Sequence, residues 1–166
     1  MEIDSSSPRL SIVIPCYNEA DNIPLVMQEF NSILLEELKK GIIKKSEVEL
    51  IFVNNNSSDN SSEVLERELK KETNFFARTV FEYKPGYGAA VTAGIKEAKG
   101  EFICLTHADL QTNPKDVLQA YKIIQEQDSP KECFVKGNRK GRPLKDSFFT
   151  WGMGLFETTI LKKRLF

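Results

Sequence analysis

The segment with the most promising chemistry is Thr106-His107-Ala108-Asp109-Leu110-Gln111, which begins at the last residue of the mostly apolar run at residues 101–106. In extended backbone alternate residues point the same way, so His107, Asp109 and Gln111 project together. Nitrogen and oxygen donors grouped in this way suit Mn²⁺ or Mg²⁺ that is shared with a diphosphate. His107 is the only histidine of the chain. A lone histidine is more often a surface residue or a satisfied core residue, and both interpretations stay open at this point.

Polar side chains also follow the apolar runs at residues 10–15 and 48–53. After the first run, Tyr17 can stack on a flat ring and Glu19 can accept hydrogen bonds from ribose hydroxyls, although a plain strand exit explains them equally well. After the second run come three asparagines, of which Asn54 and Asn55 are the least expected in a simple turn. Their amides offer paired donors and acceptors that suit a base edge, and the alternative is a turn with a helix cap.

Two further loops carry features that favour phosphate binding. The glycine pair Gly86 and Gly88 opens a predicted helix, so a phosphate or sugar can approach its N-terminus. The full dinucleotide fingerprint is absent, and close helix–strand packing explains the glycines as well. Residues 136–145 hold five basic residues and no acid, and the guanidinium groups of Arg139 and Arg142 suit phosphate oxygens. A solvated charged loop is the alternative.

Length and composition limit the classes of protein that fit. A chain of 166 residues is expected to form about one domain. With 23 basic and 24 acidic side chains its net charge is -1, which argues against a nucleic-acid binder. No uncharged apolar run approaches the length of a spanning helix, and the polar N-terminus is not a signal peptide. The three cysteines lie in apolar runs, which predicts buried thiols in a reducing compartment.

Short apolar runs alternate with helical patterns along the chain. Strands are predicted at residues 10–15, 48–53, 79–83 and 101–106, with a fifth at 132–136. Helices are predicted from a cap at Asp21 to Gly41, over residues 63–71, from the Gly86–Gly88 loop to Gly100, and from Pro114 onward. This alternation predicts a three-layer α/β/α fold with a mostly parallel sheet. Right-handed crossovers then place the loops that follow the strands at one edge, where ligands bind.

Three segments are predicted: a flexible N-terminus (residues 1–9), one domain (10–145) and an apolar C-terminal helix (146–166). Six large apolar residues crowd into positions 148–156 of the last segment. Such a helix packs on further residues, forms a homodimer contact, or lies on a membrane surface. Packing or dimerisation is favoured, because Gly152, Gly154 and Glu157 interrupt the apolar surface.

Taken together, four motifs resemble the nucleotide-sugar-binding half of family 2 glycosyltransferases with the GT-A fold, a Rossmann-like nucleotide-diphospho-sugar transferase fold. The resemblance is strongest to the dolichol-phosphate mannosyltransferase-like and polyprenyl-phosphate glycosyltransferase-like members. The motifs are SIVIPCYNEADNI, ELIFVNNNSSDNS, YKPGYGAAVTAGIKEAKGEFI and HADLQTNP, and they cover about residues 10–145.

The resemblance implies a role for each matching position. Pro15, Tyr17 and Glu19 are expected to line the base and ribose. Val53, Asn54 and Asn55 are expected at the base edge, and Lys84, Gly88 and Ala108 are expected around the nucleotide. His107, Asp109 and Gln111 are expected to hold Mn²⁺ or Mg²⁺, and Asp109, Arg139 and Arg142 are the expected catalytic residues.

Three departures from the family pattern stand out. His107 replaces the first aspartate of the Asp-x-Asp motif, so one negative charge is lost. Asn54 and Asn55 replace an aspartate pair, and an amide can present either face, so uridine is no longer the only base expected. The chain also stops at Phe166, where family members usually continue into acceptor-binding or membrane segments.

The resemblance therefore implies an inverting, metal-assisted hexosyltransferase that acts in cell-surface glycan or glycolipid synthesis. The expected donor is a nucleoside-diphosphate sugar with UDP or GDP, and the acceptor is a lipid phosphate or a glycan. The expected location is cytoplasmic, with peripheral contact at the inner face of the membrane and no nucleic-acid partner. The alternative is a non-catalytic module that binds a nucleotide sugar.

Overall fold

In the computed structural model, four parallel strands form one sheet in the order β3-β2-β1-β4. The structure describes residues 8–137. The chain divides into two units, Met1–Val135 and Lys136–Phe166, and every described strand and helix belongs to the first. The predictions for the N-terminal tail up to residue 7, for Arg139 and Arg142, and for the segment 146–166 lie outside the described residues.

Helices follow the strands as the periodicity predicts. The strands are β1 (Leu10–Cys16), β2 (Val48–Asn54), β3 (Phe76–Phe81) and β4 (Phe102–Leu105). The helices are α1 (Ile23–Lys39), α2 (Ser61–Leu69), α3 (Tyr87–Glu97) and α4 (Pro114–Gln125), with short 3-10 turns at Lys45–Glu47 and Pro130–Glu132. Within residues 8–137, no helix has both the length and the apolar content that crossing a bilayer requires.

The alternation of side chains along β1 and β2 separates two cores. One face of the sheet, with Ile12, Ile14 and Phe52, packs against apolar residues of α1, α2 and α4. The other face, with Val13 and Val53, packs against α3. Helices therefore cover both faces, and the three-layer α/β/α prediction is confirmed.

Helix α3 approaches the sheet closely because of one glycine. A Cβ atom placed on Gly94 would lie 2.3 Å from Cγ1 of Val13 and 2.9 Å from Cγ2 of Val53. Both valines are fully buried, so neither side chain has free space to move into. The glycine thus sets the height of α3 above the sheet, and with it the position of the first turn of that helix.

The predicted fifth strand at residues 132–136 is wrong. A 3-10 turn at Pro130–Glu132 is followed by residues without regular structure, and Phe134 is 86% exposed. An apolar run becomes a strand only where a neighbour can pair with it, and no described strand pairs with this one. The prediction that all three thiols are buried is likewise wrong for Cys133, which is exposed, whereas Cys16 is buried and Cys104 is partly buried.

Other boundaries differ from the predictions by a few residues. Strand β3 covers Phe76–Phe81 rather than residues 79–83, because its partner β2 ends at Asn54, which pairs with Phe81. Helix α1 begins at Ile23 after an Asn22 cap, not after Asp21, and α2 begins at Ser61. Helix α3 begins at Tyr87 and ends at Glu97.

A buried carboxylate joins α1 to α4. Oε2 of Glu37 lies 2.7 Å from Nζ of Lys122, and Oε1 lies 3.0 Å from Nζ of Lys40. The hydrogen bond from Lys122 holds the pKa of the Glu37 carboxyl below its ordinary value of 4.5, against an opposing effect of burial. The charged form of Glu37 is therefore the form that the fold stabilises.

Replacing Glu37 with glutamine is expected to lower the free energy of unfolding by about 1 kcal/mol at neutral pH. A carboxyl with a lowered folded-state pKa contributes stability above its unfolded-state pKa, and that contribution is lost as the pH falls through the folded-state value. The difference between the wild type and Glu37→Gln should therefore shrink as the pH falls below 4.5. Urea unfolding at a series of pH values measures it, and a difference independent of pH would contradict this assignment.

Candidate active site at the carboxyl edge of the sheet

Each loop that leaves the carboxyl edge of the sheet contains one residue with positive φ. Asn18 follows β1 with φ 56°, Asn56 follows β2 with φ 57°, and Leu110 follows β4 with φ 55°. Gly86 follows β3 with φ 118°. Within residues 8–137, every non-glycine residue with positive φ lies in one of these loops. Left-handed backbone costs free energy for a residue such as leucine, and such residues concentrate at functional sites.

The Asn18 side chain joins the loops that follow β1 and β2. Its Oδ1 accepts hydrogen bonds from the backbone N–H groups of Ser58 at 2.8 Å and Asp59 at 3.3 Å. In return, the Asn18 N–H donates to Oγ of Ser57 at 3.1 Å. These contacts hold the segment carrying Tyr17 against the start of α2.

The Asn55 side chain joins the end of β2 to the loop that precedes α3. Its Nδ2 donates to the carbonyl oxygens of Glu82 at 3.0 Å and Lys84 at 2.7 Å. Its Oδ1 accepts from the N–H of Gly86 at 2.8 Å. Two carbonyls on one side and one N–H on the other determine which way this amide faces. Asn55 is therefore first of all the residue that holds the Lys84–Gly86 loop in place.

Asn54 points elsewhere. It is 2% exposed, its Nδ2 donates to Oγ of Ser62 at 2.8 Å, and its Oδ1 accepts from the N–H of Ser57 at 3.0 Å. Because successive residues of a strand face opposite ways, only one of the two asparagines can reach the cavity. That residue is Asn55.

The strand ends and loops surround one cavity of about 500 Å³. It lies at the carboxyl edge, where open α/β sheets bind ligands. Its lining includes seven of the sequence-predicted residues, namely Pro15, Tyr17, Glu19, Asn55, His107, Ala108 and Asp109. It also includes Cys16, Asn56, Pro85, Gly86, Tyr87 and Ala90.

Five predicted residues do not line the cavity. Val53 is fully buried under α3, and Asn54 faces α2. Lys84, Gly88 and Gln111 are exposed beside the cavity rather than in its lining. Their proposed roles stay predictions, as do those of Arg139 and Arg142.

Two aromatic rings of the cavity lining stack on each other. The rings of Tyr87 and His107 stack with centroids 5.8 Å apart and planes 16° apart. Tyr87 was not among the predicted residues. The motif Gly86-Tyr87-Gly88 places an aromatic residue at the start of a predicted helix. Nothing in the sequence indicates that this ring contacts His107, twenty positions further along the chain.

The Asp109 side chain makes a hydrogen bond within the loop that follows β4. Its Oδ1 accepts from the N–H of Gln111 at 3.0 Å, a turn that accompanies the left-handed Leu110. The second carboxylate oxygen and the remaining lone pairs are not used by that bond. For Cys16, which also lines the cavity, burial and then the Glu19 charge raise the pKa of the thiol far above its usual value. Cys16 therefore serves as an apolar wall rather than a nucleophile.

The donors of His107 and Asp109 fit a metal ion only if a bound ligand supplies further donors to the same ion. The described residues contain no group of three His, Cys, Asp or Glu side chains placed to hold a metal. His107 and Asp109 nevertheless line the same cavity. Mg²⁺ and related ions are commonly held by one or two carboxylates together with substrate phosphates. Among the described residues, the acidic side chains that line the cavity are Glu19 and Asp109, and no described lysine or arginine lines it.

Comparison with known proteins agrees with this architecture. Residues 11–164 match the family model for glycosyl transferase family 2. The chain is 30% identical over 141 residues to undecaprenyl-phosphate 4-deoxy-4-formamido-L-arabinose transferase of Proteus mirabilis, which covers 85% of this chain and 39% of that protein. The enzyme with the same name from Photorhabdus laumondii is 30% identical over 118 residues, covering 71% of this chain and 34% of that protein. The chain thus spans well under half the length of these relatives.

A solved structure supports the fold. Glucosyl-3-phosphoglycerate synthase from Mycobacterium tuberculosis, determined in complex with UDP, superimposes with a TM-score of 0.64 at 19% identity. The superposition covers 91% of this chain and 52% of that one. The sheet, its helical layers and this likeness confirm the predicted α/β fold of GT-A type. Because the family model extends over nearly the whole sequence, the chain belongs to glycosyl transferase family 2.

Proposed function

We propose that the cavity binds a nucleoside-diphosphate sugar and that the protein transfers the sugar to a polyprenyl phosphate. The observation that carries this proposal is the convergence of Tyr17, Asn55, His107 and Asp109 on one cavity. Its volume of about 500 Å³ falls within the range of small-molecule sites. Family membership and relatives named as undecaprenyl-phosphate transferases support both the donor and the acceptor.

The base and ribose are proposed to lie against Tyr17, Glu19 and Asn55. Tyr17 is 60% exposed, which leaves its ring free to stack. Glu19 is already oriented, because Nδ2 of Asn22 donates to its Oε2 at 2.6 Å. Both N–H groups of the Asn55 amide are committed to backbone carbonyls, so Asn55 meets a ligand only as an acceptor. Such an acceptor favours a base with a ring N–H, as in uracil or guanine.

The diphosphate is proposed to lie between the start of α3 and the His107–Asp109 segment. The N-terminus of a helix favours anionic groups, and the first turn of α3 carries no acid. His107 and Asp109, with Gln111 beside them, would hold Mn²⁺ or Mg²⁺ together with the phosphates. When bound, that ion supplies the positive charge that stabilises the departing nucleoside diphosphate. Arg139 and Arg142 are proposed as phosphate-binding residues, because guanidinium groups form paired hydrogen bonds with phosphate oxygens.

The reaction proposed is an inverting transfer. The acceptor phosphate attacks the anomeric carbon from the side opposite the bond to the diphosphate, and that bond breaks. A polyprenyl phosphate is already anionic, so the step needs no strong base, whereas a glycan hydroxyl would need a carboxylate. We place this reaction at the cytoplasmic face of a membrane, where a lipid phosphate is accessible, as part of glycan or glycolipid synthesis.

A thermal-shift panel with UDP-, GDP-, CDP- and dTDP-sugars, each with and without Mn²⁺, tests the donor. A ligand that binds only the folded state adds about 2.7 kcal/mol to the free energy of unfolding when its concentration is one hundred times its Kd. The added stability raises the melting temperature. We expect a uridine or guanosine donor to stabilise the protein, and to do so more strongly with Mn²⁺.

Replacing Asp109 with alanine is expected to abolish the Mn²⁺-dependent part of this shift, because the only carboxylate of the proposed metal pair is removed. Asp128→Ala makes the same change of charge at an exposed residue outside the cavity, and should leave the shift intact. Equal Mn²⁺-dependent shifts in wild type and Asp109→Ala would contradict the metal assignment. A panel in which no nucleotide stabilises the wild type would contradict the proposed function.

A non-catalytic nucleotide-sugar-binding module is the second candidate. The observation that favours it is the reduced donor set, one carboxylate and an imidazole, because residues 8–137 contain no group of three His, Cys, Asp or Glu side chains placed to hold a metal. The two candidates differ in turnover. Binding of the sugar nucleotide without transfer to polyprenyl phosphate, in the full-length protein, would favour the module.

A further inference from the structure

Tyr87 occupies a place that neither the metal nor the nucleotide explains by itself. It is the first residue of α3, it lines the cavity, and it is 54% exposed. Its one aromatic contact among the described residues is the stack on His107, at 5.8 Å between centroids and 16° between planes. A near-parallel stack at this distance restricts the orientation of the imidazole, because rotation of the histidine ring would break it.

Tyr87 is itself fixed by the sheet. The Asn55 side chain accepts from the N–H of Gly86, the residue just before Tyr87. Gly86 has φ 118°, a conformation that a side chain would strain, so the backbone turns into α3 at a defined point. A chain of contacts therefore runs from the end of β2 through Asn55 and Gly86 to Tyr87, and from there to His107.

We propose that Tyr87 is a positioning residue that orients the His107 imidazole toward the diphosphate and its metal ion. This inference rests on the proposed function and adds a residue to it. Partners that orient a metal ligand usually do so by hydrogen bonding, and their loss weakens metal binding. Here the orienting contact is a ring stack, so the phenol oxygen is dispensable and the ring is required. Phenylalanine should therefore replace Tyr87, and leucine should not.

The first measurement is the NMR spectrum of the imidazole. Because His107 is the only histidine of the chain, its ring resonances are assigned without ambiguity. The Tyr87 ring current should shift them, the shift should persist in Tyr87→Phe, and it should be lost in Tyr87→Leu. Tyr83→Leu removes a tyrosine that is 78% exposed and outside the cavity lining, and it should leave these resonances unchanged.

The second measurement is Mn²⁺ binding in the presence of UDP, and in parallel of GDP, followed by paramagnetic broadening of the same resonances. Tyr87→Leu should weaken Mn²⁺ binding about tenfold, at the low end for residues that orient a metal ligand. Tyr87→Phe should differ from wild type by less than about twofold, because it keeps the stacked ring. An unchanged thermal unfolding midpoint without ligand shows that the leucine variant is folded.

The outcomes separate the two claims. If wild type binds Mn²⁺ and nucleotide and Tyr87→Leu binds them equally well, the positioning role is overturned while the proposed function stands. The same holds if the His107 resonances do not respond to Tyr87→Leu. If the wild type binds neither UDP nor GDP with Mn²⁺, the proposed function fails and the positioning role fails with it.

Discussion

Asn55→Asp is expected to lower the free energy of unfolding by about 3 kcal/mol, although the two side chains have nearly the same shape. The carbonyl oxygens of Glu82 and Lys84 would lose their donor and would face a carboxylate instead. Only a protonated carboxyl can donate to either of them, so the deficit should become smaller as the pH falls. The contacts of Asn55 therefore predict that aspartate, which the family resemblance implies at this position, destabilises this chain.

Asn54→Asp is the matched control for that variant. The partner of the Asn54 Nδ2 is the Ser62 hydroxyl, which can rotate and donate to a carboxylate. The new charge would also lie near the start of α2, where the helix dipole favours an anion. The expected loss is about 1 kcal/mol or less. Urea unfolding of both variants at pH 7 measures the difference, and equal losses would show that the orientation of the Asn55 amide is misassigned.

Gly94→Ala is expected to destabilise the protein by about 3 kcal/mol, because overpacking in a filled core forces backbone or side-chain shifts. The added methyl would enter the space of Val13 and Val53, at 2.3 Å and 2.9 Å from their methyl carbons. The helix can relieve this clash only by moving away from the sheet. Since α3 begins at Tyr87, such a movement would also displace the cavity wall.

Gly88→Ala provides the comparison within the same helix. A Cβ atom at Gly88 meets nothing within 4 Å, so the same added methyl is free of contacts. Alanine is the better helix former by about 1 kcal/mol, and this variant should be neutral to stabilising. Thermal unfolding of both variants tests the pair. A stable Gly94→Ala protein would show that α3 packs less tightly on Val13 and Val53 than these distances indicate.

The fold was predictable because local patterns and long-range packing agree. The runs at residues 10–15 and 48–53 are apolar along most of their length, as expected for central parallel strands, and β1 and β2 occupy these positions. The run at 132–136 was also predicted as a strand but has no partner, and composition carries no information about pairing. The shift of β3 has the same origin, because its extent is set by the length of β2.

The site was predictable in its location but not in its internal contacts. His107 and Asp109 line one cavity, as expected, but not because an extended chain faces them alternately. Strand β4 ends at Leu105 and the chain turns at residues 108–109, so Ala108 lines the same cavity and Gln111 does not. Which of the two asparagines reaches the cavity depends on what lies beside each of them, and that is set by α2 and by the Lys84–Gly86 loop. The stack of Tyr87 on His107 joins two separate loops, so only the folded chain brings it about.

The four left-handed turns at the cavity rim have a consequence for how this site can diversify. The backbone at Asn18, Asn56, Gly86 and Leu110 has positive φ, which favours asparagine and glycine over most other residue types. We therefore expect substitutions at these positions to be limited by the shape of the rim, whichever molecule fills it. Residues between them can be substituted to suit a different ligand while the backbone of the rim keeps its shape. If these four positions were invariant in related sequences, the invariance would reflect the backbone shape of the rim. Substitutions at neighbouring positions would reflect a change in ligand specificity.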